Sequence, residues 1–182
     1  KIEILKKTIN ANDISSTVAK TIKKFSSFFN KIKPDAIILL GDRYEIFAIA
    51  ITAFIHQIPI VHIHGGELSY GSLDDSFRHS ISKLSNIHFV STLIYKKRLI
   101  QLGEQPASVI NIGSLGVEAI NKTIFLKKKI LEKRLNIQFK KKLLIISLHP
   151  VTNNKLENKK LINEVIKALI KQKETTFIFT YP

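Results

Sequence analysis

Short apolar runs alternating with helical stretches predict an α/β chain built on parallel sheets. Three observations carry this. Residues 36–40, 60–64 and 143–148 are almost continuously apolar, the pattern of strands covered on both faces. Between such runs lie segments of roughly ten to twenty residues in which apolar side chains recur at helical spacing. Glycines stand where the runs end, at Gly41, Gly65 and Gly113, as strand-to-helix turns require.

The elements follow in order. From residue 13 to 32, Ile14, Val18, Ile22, Phe25, Phe29 and Ile32 form one face of a helix, with Asn12 or Asp13 placed to cap it and Lys33-Pro34 to stop it. Residues 36–40 form a strand, and residues 44–56, apolar nearly all round, form a buried helix. Residues 59–64 give a second strand. A short helix over 75–84, a strand over 87–90, an amphipathic helix over 93–102 closed by Gly103 and a strand over 108–112 complete the series. Residues 117–141 are basic, weakly patterned and strand-free. A strand at 143–148, a helix near 156–172 and a final strand follow. The expected organisation is residues 1–118 as the later part of a Rossmann-like domain, 119–141 as a helical connection, and 142–182 as the opening of a second Rossmann-like, nucleotide-binding domain.

Composition narrows the function. The 182 residues include no cysteine, which excludes a disulfide framework and a thiolate metal site. The longest apolar run, residues 46–55 with Thr52 inside it, falls far short of the ~20 residues that span a bilayer. Residues 1–7 alternate charged with apolar residues and do not read as a signal peptide, so a cytoplasmic protein without membrane association is expected. The chain contains no methionine, and residues 177–182 read as a strand with nothing after it; both predict a piece of something longer. The net charge of +15 would suit nucleic acid, but the lysines are scattered over what read as exposed helix faces, with little aromatic interleaving. Nucleic acid is therefore not the expected partner; a mild attraction for anionic substrates remains.

In open parallel sheets, ligands bind beyond the carboxyl ends of the strands. Those ends carry Gly41-Asp42-Arg43, His62-Ile-His-Gly-Gly-Glu67, Gly113-Ser114 and His149-Pro-Val-Thr152. Asp42 offers a carboxylate as base or orienter and Arg43 a guanidinium for phosphate, although an Asp here can also simply cap the next helix. His62 and His64 are two apart and point the same way if the strand continues. With Glu67 they could approach a metal, but no third ligand stands at a recognisable spacing, so no metal is expected. His62 reads as hydrogen-bonded within the fold, while His64 and Glu67 lie further out. Asp74 and Asp75 open a helix with Arg78 one turn on, either as an N-terminal cap or as carboxylates brought near the other strand ends. Neither a Walker sequence nor G-x-G-x-x-G occurs, which removes the main support for ordinary NTPase and dinucleotide readings.

Five strings stand in order: Pro34-Asp-Ala-Ile-Ile-Leu-Leu-Gly-Asp-Arg43, His62-Ile-His-Gly-Gly-Glu67, Asp74-Asp-Ser-Phe-Arg-His-Ser-Ile-Ser-Lys-Leu-Ser85, Leu102-Gly-Glu-Gln-Pro106 and His149-Pro-Val-Thr152. Together they resemble the UDP-N-acetylglucosamine 2-epimerases, specifically the hydrolysing branch that feeds sialic and legionaminic acid biosynthesis. The likeness runs from about Lys33 to Val151. It implies a glycosyltransferase-B-like fold of two domains with the site in the cleft between them, a UDP-sugar substrate, no metal or redox cofactor, and a homo-oligomer formed by the full-length chain.

The implied reaction removes the proton at C2 of the sugar while UDP leaves C1, giving a 2-acetamidoglucal. Water then adds, releasing N-acetylmannosamine or a related amino sugar. By the resemblance, Asp42, Asp74 and His149 match catalytic positions. Arg43 and Arg78 match arginines that contact substrate or hold the carboxylates, and Gly65 and Gly66 belong to the substrate-binding turn. Many members carry Glu where this chain has His64, so either His64 or Glu67 takes the remaining acid/base role. Three rivals are set against this reading. They are the non-hydrolysing branch, which returns UDP-N-acetylmannosamine; a glycosyltransferase of the same fold; and a basic nucleic-acid-binding α/β module.

Overall fold

The computed structural model describes residues 10–148 and 155–180. The basic N-terminal run, His149 with the rest of its motif, and the last two residues lie outside the described residues. The chain divides into two compact units, Lys1–Lys122 and Thr123–Pro182.

Among the described residues of the first unit, α1 (Ala11–Ile32) comes first, and its cap is Asn10 rather than Asn12 or Asp13. The Asn10 side chain accepts from the Asp13 N–H at 3.0 Å, and the Asp13 carboxylate accepts from the Asn10 N–H at 3.1 Å. This reciprocal box satisfies two N–H groups that a helix start otherwise leaves without partners, which is why the helix begins earlier than expected. Then come β1 (Ile37–Leu40), α2 (Tyr44–Ile55), β2 (Ile60–Ile63), α3 (Leu73–Leu84), β3 (Ile87–Val90), α4 (Leu93–Gln101), a 3-10 turn at Pro106–Ser108, β4 (Val109–Asn111) and α5 (Leu115–Lys122). The four strands form one parallel sheet in the order β1-β2-β3-β4.

The register sets Leu39, His62, His88 and Val109 side by side on one face. That face carries the core. Leu39 and Ile60 pack with Phe29 of α1, Ala50 and Ala53 of α2 and Ile81 of α3, while Val90 and Val109 pack with Leu99 of α4. Fully burying a side chain such as Leu99 contributes about 1.5–3 kcal/mol, so Leu99→Ala should cost about 2–5 kcal/mol once the cavity is included.

Several expectations change here. The apolar run at 36–40 predicts cover on both faces, yet Ile38 is 68% and Leu40 56% exposed. The reason is one-sided packing: the helices that meet the core do so on the Leu39 face, and alternation turns Ile38, Leu40, Ile87 and Ile110 the other way. Helix α2, expected to be buried all round, leaves Phe54 and Ile55 exposed at its end. Strand β2 ends at Ile63, and His64 adopts φ +68°, so His62 and His64 do not continue one strand face. Helix α3 begins at Leu73 behind Ser72, whose hydroxyl oxygen accepts from the Asp74 N–H at 3.2 Å; the cap is Ser72, and both aspartates fall inside the first turn.

The second unit holds α6 (Lys128–Leu135), β5 (Lys142–Ile146), α7 (Lys155–Ile170) and β6 (Thr175–Phe179), with β5 and β6 paired in parallel. Among the described residues the stretch between β4 and β5 contains helices and no strand, as its weak patterning predicts. Among them, too, no helix is long and apolar enough to cross a membrane.

Candidate active site

The turn after β1 places Asp42 where the sheet-end rule expects a ligand group. Gly41 makes this turn possible with φ +98°, a conformation costly for any residue with a Cβ. Asp42 does not stand alone. Arg78 of α3 reaches it with two bonds to the same oxygen, Oδ2: Nε–H at 2.9 Å and a second from Nη2.

Arg78 is the hub of the cluster and is only 4% exposed. Its Nη1 donates to the Glu67 carbonyl at 3.0 Å and to Asp75 Oδ1 at 3.1 Å, and its Nη2 also donates to the Ser69 hydroxyl at 2.9 Å. The guanidinium has five N–H bonds, and these contacts take all five. Of the two uses left open for Arg78 by the sequence, holding the carboxylates is the one this geometry supports. Asp75 Oδ1 also accepts from the Ser69 N–H at 2.6 Å, which ties the loop before α3 into the same cluster.

Two carboxylate positions keep capacity for chemistry. Asp42 Oδ1 and the Asp74 carboxylate have no hydrogen-bond or ion-pair partner among the described residues, although both side chains are half-buried. Asp74 and Asp75 are equivalent in the sequence; the structure separates them, with Asp75 bound to Arg78 and Asp74 open.

The turn after β2 supplies a second pair. His64 Nδ1 lies 2.9 Å from Glu67 Oε1, and the Ser91 hydroxyl donates to that same oxygen at 3.3 Å. A carboxylate accepts, so Nδ1 carries the proton and a neutral His64 presents Nε2 as a lone pair. The two residues that the sequence leaves as alternatives are thus one hydrogen-bonded unit. The glycines between them are sterically required. A Cβ on Gly65 would stand 2.8 Å from Ser82 Oγ, and one on Gly66 would stand 2.6 Å from the Tyr95 carbonyl oxygen, with φ already +79°.

Arg43 lies apart from this cluster. It is 59% exposed at the side chain, pairs with Glu45 at 3.1 Å and lies over the Tyr44 ring at 5.4 Å. His149 lies outside the described residues. Sequence reasoning missed Ser69, Ser91 and Arg98. Arg98 sits in a basic run that suggests a solvated face, yet it donates through Nη1 to the Gly66 carbonyl and braces the turn. Its signal was position: it stands next to buried Leu99 on α4.

His62 is fully buried beneath these turns. Burial is the main cause that pushes its pKa down to about 4, opposed by the bond to the Gly41 carbonyl. Among the described residues no group of three or more His, Asp or Glu side chains could hold a metal.

The first unit is thus an α/β domain with a one-faced parallel sheet and an arginine-held carboxylate beyond its strand ends. The sequence pattern of the UDP-N-acetylglucosamine 2-epimerase family matches residues 1–182, and the chain belongs to that family. It is 44% identical over 180 residues to a GDP/UDP-N,N'-diacetylbacillosamine 2-epimerase (hydrolyzing) of Campylobacter jejuni, a match covering 99% of this chain and 47% of the relative. It is 42% identical over 177 residues to polysialic acid biosynthesis protein P7 of Escherichia coli, covering 94% of this chain and 45% of that one. The fold matches the crystal structure of UDP-GlcNAc 2-epimerase from Neisseria meningitidis bound to UDP-GlcNAc, with a TM-score of 0.78 and 23% identity over 97% of this chain and 49% of that one. The chain therefore spans about half the length of the curated relatives it matches.

Proposed function

We propose that the whole protein is a hydrolysing UDP-sugar 2-epimerase of nonulosonic acid biosynthesis. The observation that carries this reading is the Arg78-held Asp42 with its second oxygen free, on the helix-and-turn frame that also presents the open Asp74 carboxylate. A carboxylate oriented by a buried guanidinium, yet with a lone pair available, is suited to remove the C2 proton. The C2–H and C1–O bonds break, C1=C2 forms, and UDP departs. Asp74 and the His64–Glu67 pair then serve the proton transfers of hydration, in which water gives its hydroxyl to C1 and a proton returns to C2 on the other face. The roles of His149 near the departing diphosphate, and of Arg43, Gly65 and Gly66 in binding the substrate, are carried over from the resemblance.

The hydrolysing branch is favoured by the hydrolyzing relative at 44% identity. For the sugar we propose N-acetylglucosamine or its N,N'-diacetylbacillosamine counterpart, giving N-acetylmannosamine or the matching diacetamido sugar on the way to sialic or legionaminic acid. We place the protein in the cytoplasm as a homo-oligomer using neither metal nor redox cofactor. The domain organisation is proposed as residues 1–118, 119–141 and 142–182 in the roles given above.

Proton NMR of the full-length protein in deuterated water, offered each UDP-sugar in turn, tests this. Free 2-epimer labelled at C2 together with UDP is expected, and Asp42→Asn should lower kcat by about a hundredfold or more. A labelled product still bearing UDP would move the protein to the non-hydrolysing branch. Turnover only with an added acceptor would make it a transferase.

A further inference from the structure

The cluster at the strand ends rests on a residue that touches none of the reacting groups. His62 of β2 is fully buried, with Nε2 at 3.1 Å from the Gly41 carbonyl oxygen and Nδ1 at 3.1 Å from the Ser82 hydroxyl. From this geometry we infer that His62 is a positioning residue for the reaction: it tethers the peptide plane that carries Asp42 to the helix that carries Arg78.

The bond pattern follows from donor chemistry. A carbonyl only accepts, so Nε2 must carry the proton. Burial holds the ring neutral at pH 7, against the opposing pull of the Gly41 bond and of nearby Asp42, and with that of His88 and Arg78. Nδ1 is then a lone pair and accepts from the Ser82 hydroxyl. Ser82 Oγ also lies 3.1 Å from the Arg78 carbonyl, and turning its proton to His62 leaves that carbonyl its helical partner.

The consequence is mechanical. The Gly41 carbonyl belongs to the peptide bond that leads directly into Asp42. Gly41 sits at φ +98° with nothing within 4 Å of where a Cβ would be, so no packed neighbour lies on that side of the turn. His62 holds the turn from below, and Arg78 holds the carboxylate from beyond. Ser82 lies one helical turn after Arg78, so both restraints on Asp42 are referred to α3. Gly65 packs against the imidazole so closely that a Cβ on it would stand 3.1 Å from Nδ1, and this closes the ring of contacts.

This inference rests on Asp42 acting in the reaction, and the test separates the two. A glutamine amide nitrogen reaches about as far as Nε2, and an asparagine amide about as far as Nδ1. In the full-length protein, His62→Gln should keep the Gly41 bond and retain kcat within about threefold, while His62→Asn should keep the Ser82 bond and lose kcat by about ten- to a hundredfold with KM changed less than about twofold. Both variants are first matched for folding by their thermal midpoints. Equal losses in the two variants, or a greater loss in His62→Gln, would overturn the tether. If the wild type turns over no nucleotide sugar, the proposed function fails instead. The tether is then judged by long-range proton–nitrogen NMR of the wild type. It requires a proton on Nε2 and a bare Nδ1 in His62 across pH 5.5 to 7.5; the opposite tautomer, or a doubly protonated ring, overturns it.

Discussion

Two charged clusters flank the sheet of the first unit, and they are built differently. Beyond the carboxyl ends of β1 and β2, Arg78 is surrounded so completely that each N–H has an acceptor. Near the amino ends of β3 and β4, Glu104 pairs with Lys83 at 2.7 Å and approaches His88 Nε2 at 3.3 Å. There His88 Nδ1 is buried without a hydrogen-bond partner. Burial pushes the His88 pKa down, and Glu104 pulls it back up. The difference teaches that burial alone does not mark a site. The saturated cluster leaves chosen oxygens open at its rim, on Asp42 and Asp74, whereas the other leaves His88 Nδ1 buried without a hydrogen bond.

The largest test of this contrast is Arg78→Ala. It strands Asp42 and Asp75 without their cation, and equilibrium urea unfolding should show a loss of about 3–5 kcal/mol. A loss below ~1 kcal/mol would mean that the cluster contributes little to the fold. Acid comes next. His62 titrates near 4 when folded and near 6.5 when unfolded, so between those values the unfolded chain binds more protons. Stability is fully present above about pH 6.5 and declines as the pH falls towards 4, by on the order of 3 kcal/mol. Thermal midpoints taken from pH 7.5 to 4.5 should fall accordingly, and His62→Gln should flatten the curve; an unchanged midpoint would contradict the assignment of a buried neutral ring.

Asp75→Asn should cost about 1–2 kcal/mol, because the Arg78 and Ser69 bonds lose their charge; urea unfolding beside the wild type measures it. Glu104→Gln should cost about 1 kcal/mol, and in an NMR titration it should move the His88 pKa further down, since the carboxylate that raises it is gone. An unchanged or raised pKa would contradict that role of Glu104. Asp74→Asn should be the mildest for the fold, within ~0.5 kcal/mol, while abolishing turnover. That pair of outcomes would separate Asp74 from its neighbour by function alone.

Much of the frame was legible from periodicity. The helices, the strands and the strand-free stretch before β5 stand close to where apolar spacing puts them. The cap of α1 was missed although the signal existed: Asn10 with Asp13 three residues on is a capping box, and it competed with two closer candidates. The open face of β1 was not legible, because a run such as Ile37-Ile-Leu-Leu40 has the same composition whether or not a second layer covers it. At the candidate site, the rule that ligands bind beyond strand ends pointed to Asp42 and the His64–Glu67 turn, which the structure places at those ends. The division of labour between Asp74 and Asp75 was not legible. Positions three and four residues before Arg78 both face it on a helix, and the contact with the Ser69 N–H, set by the preceding loop, selects Asp75.

The contrast between Arg43 and Arg78 reaches into the reagent bottle. A dicarbonyl that condenses with arginine needs an exposed, unencumbered guanidinium. Arg43 fits that description far better than Arg78, which is shut in by its own acceptors. Mapping of the modified residues should therefore find Arg43 labelled while the arginine that organises the carboxylates stays unlabelled.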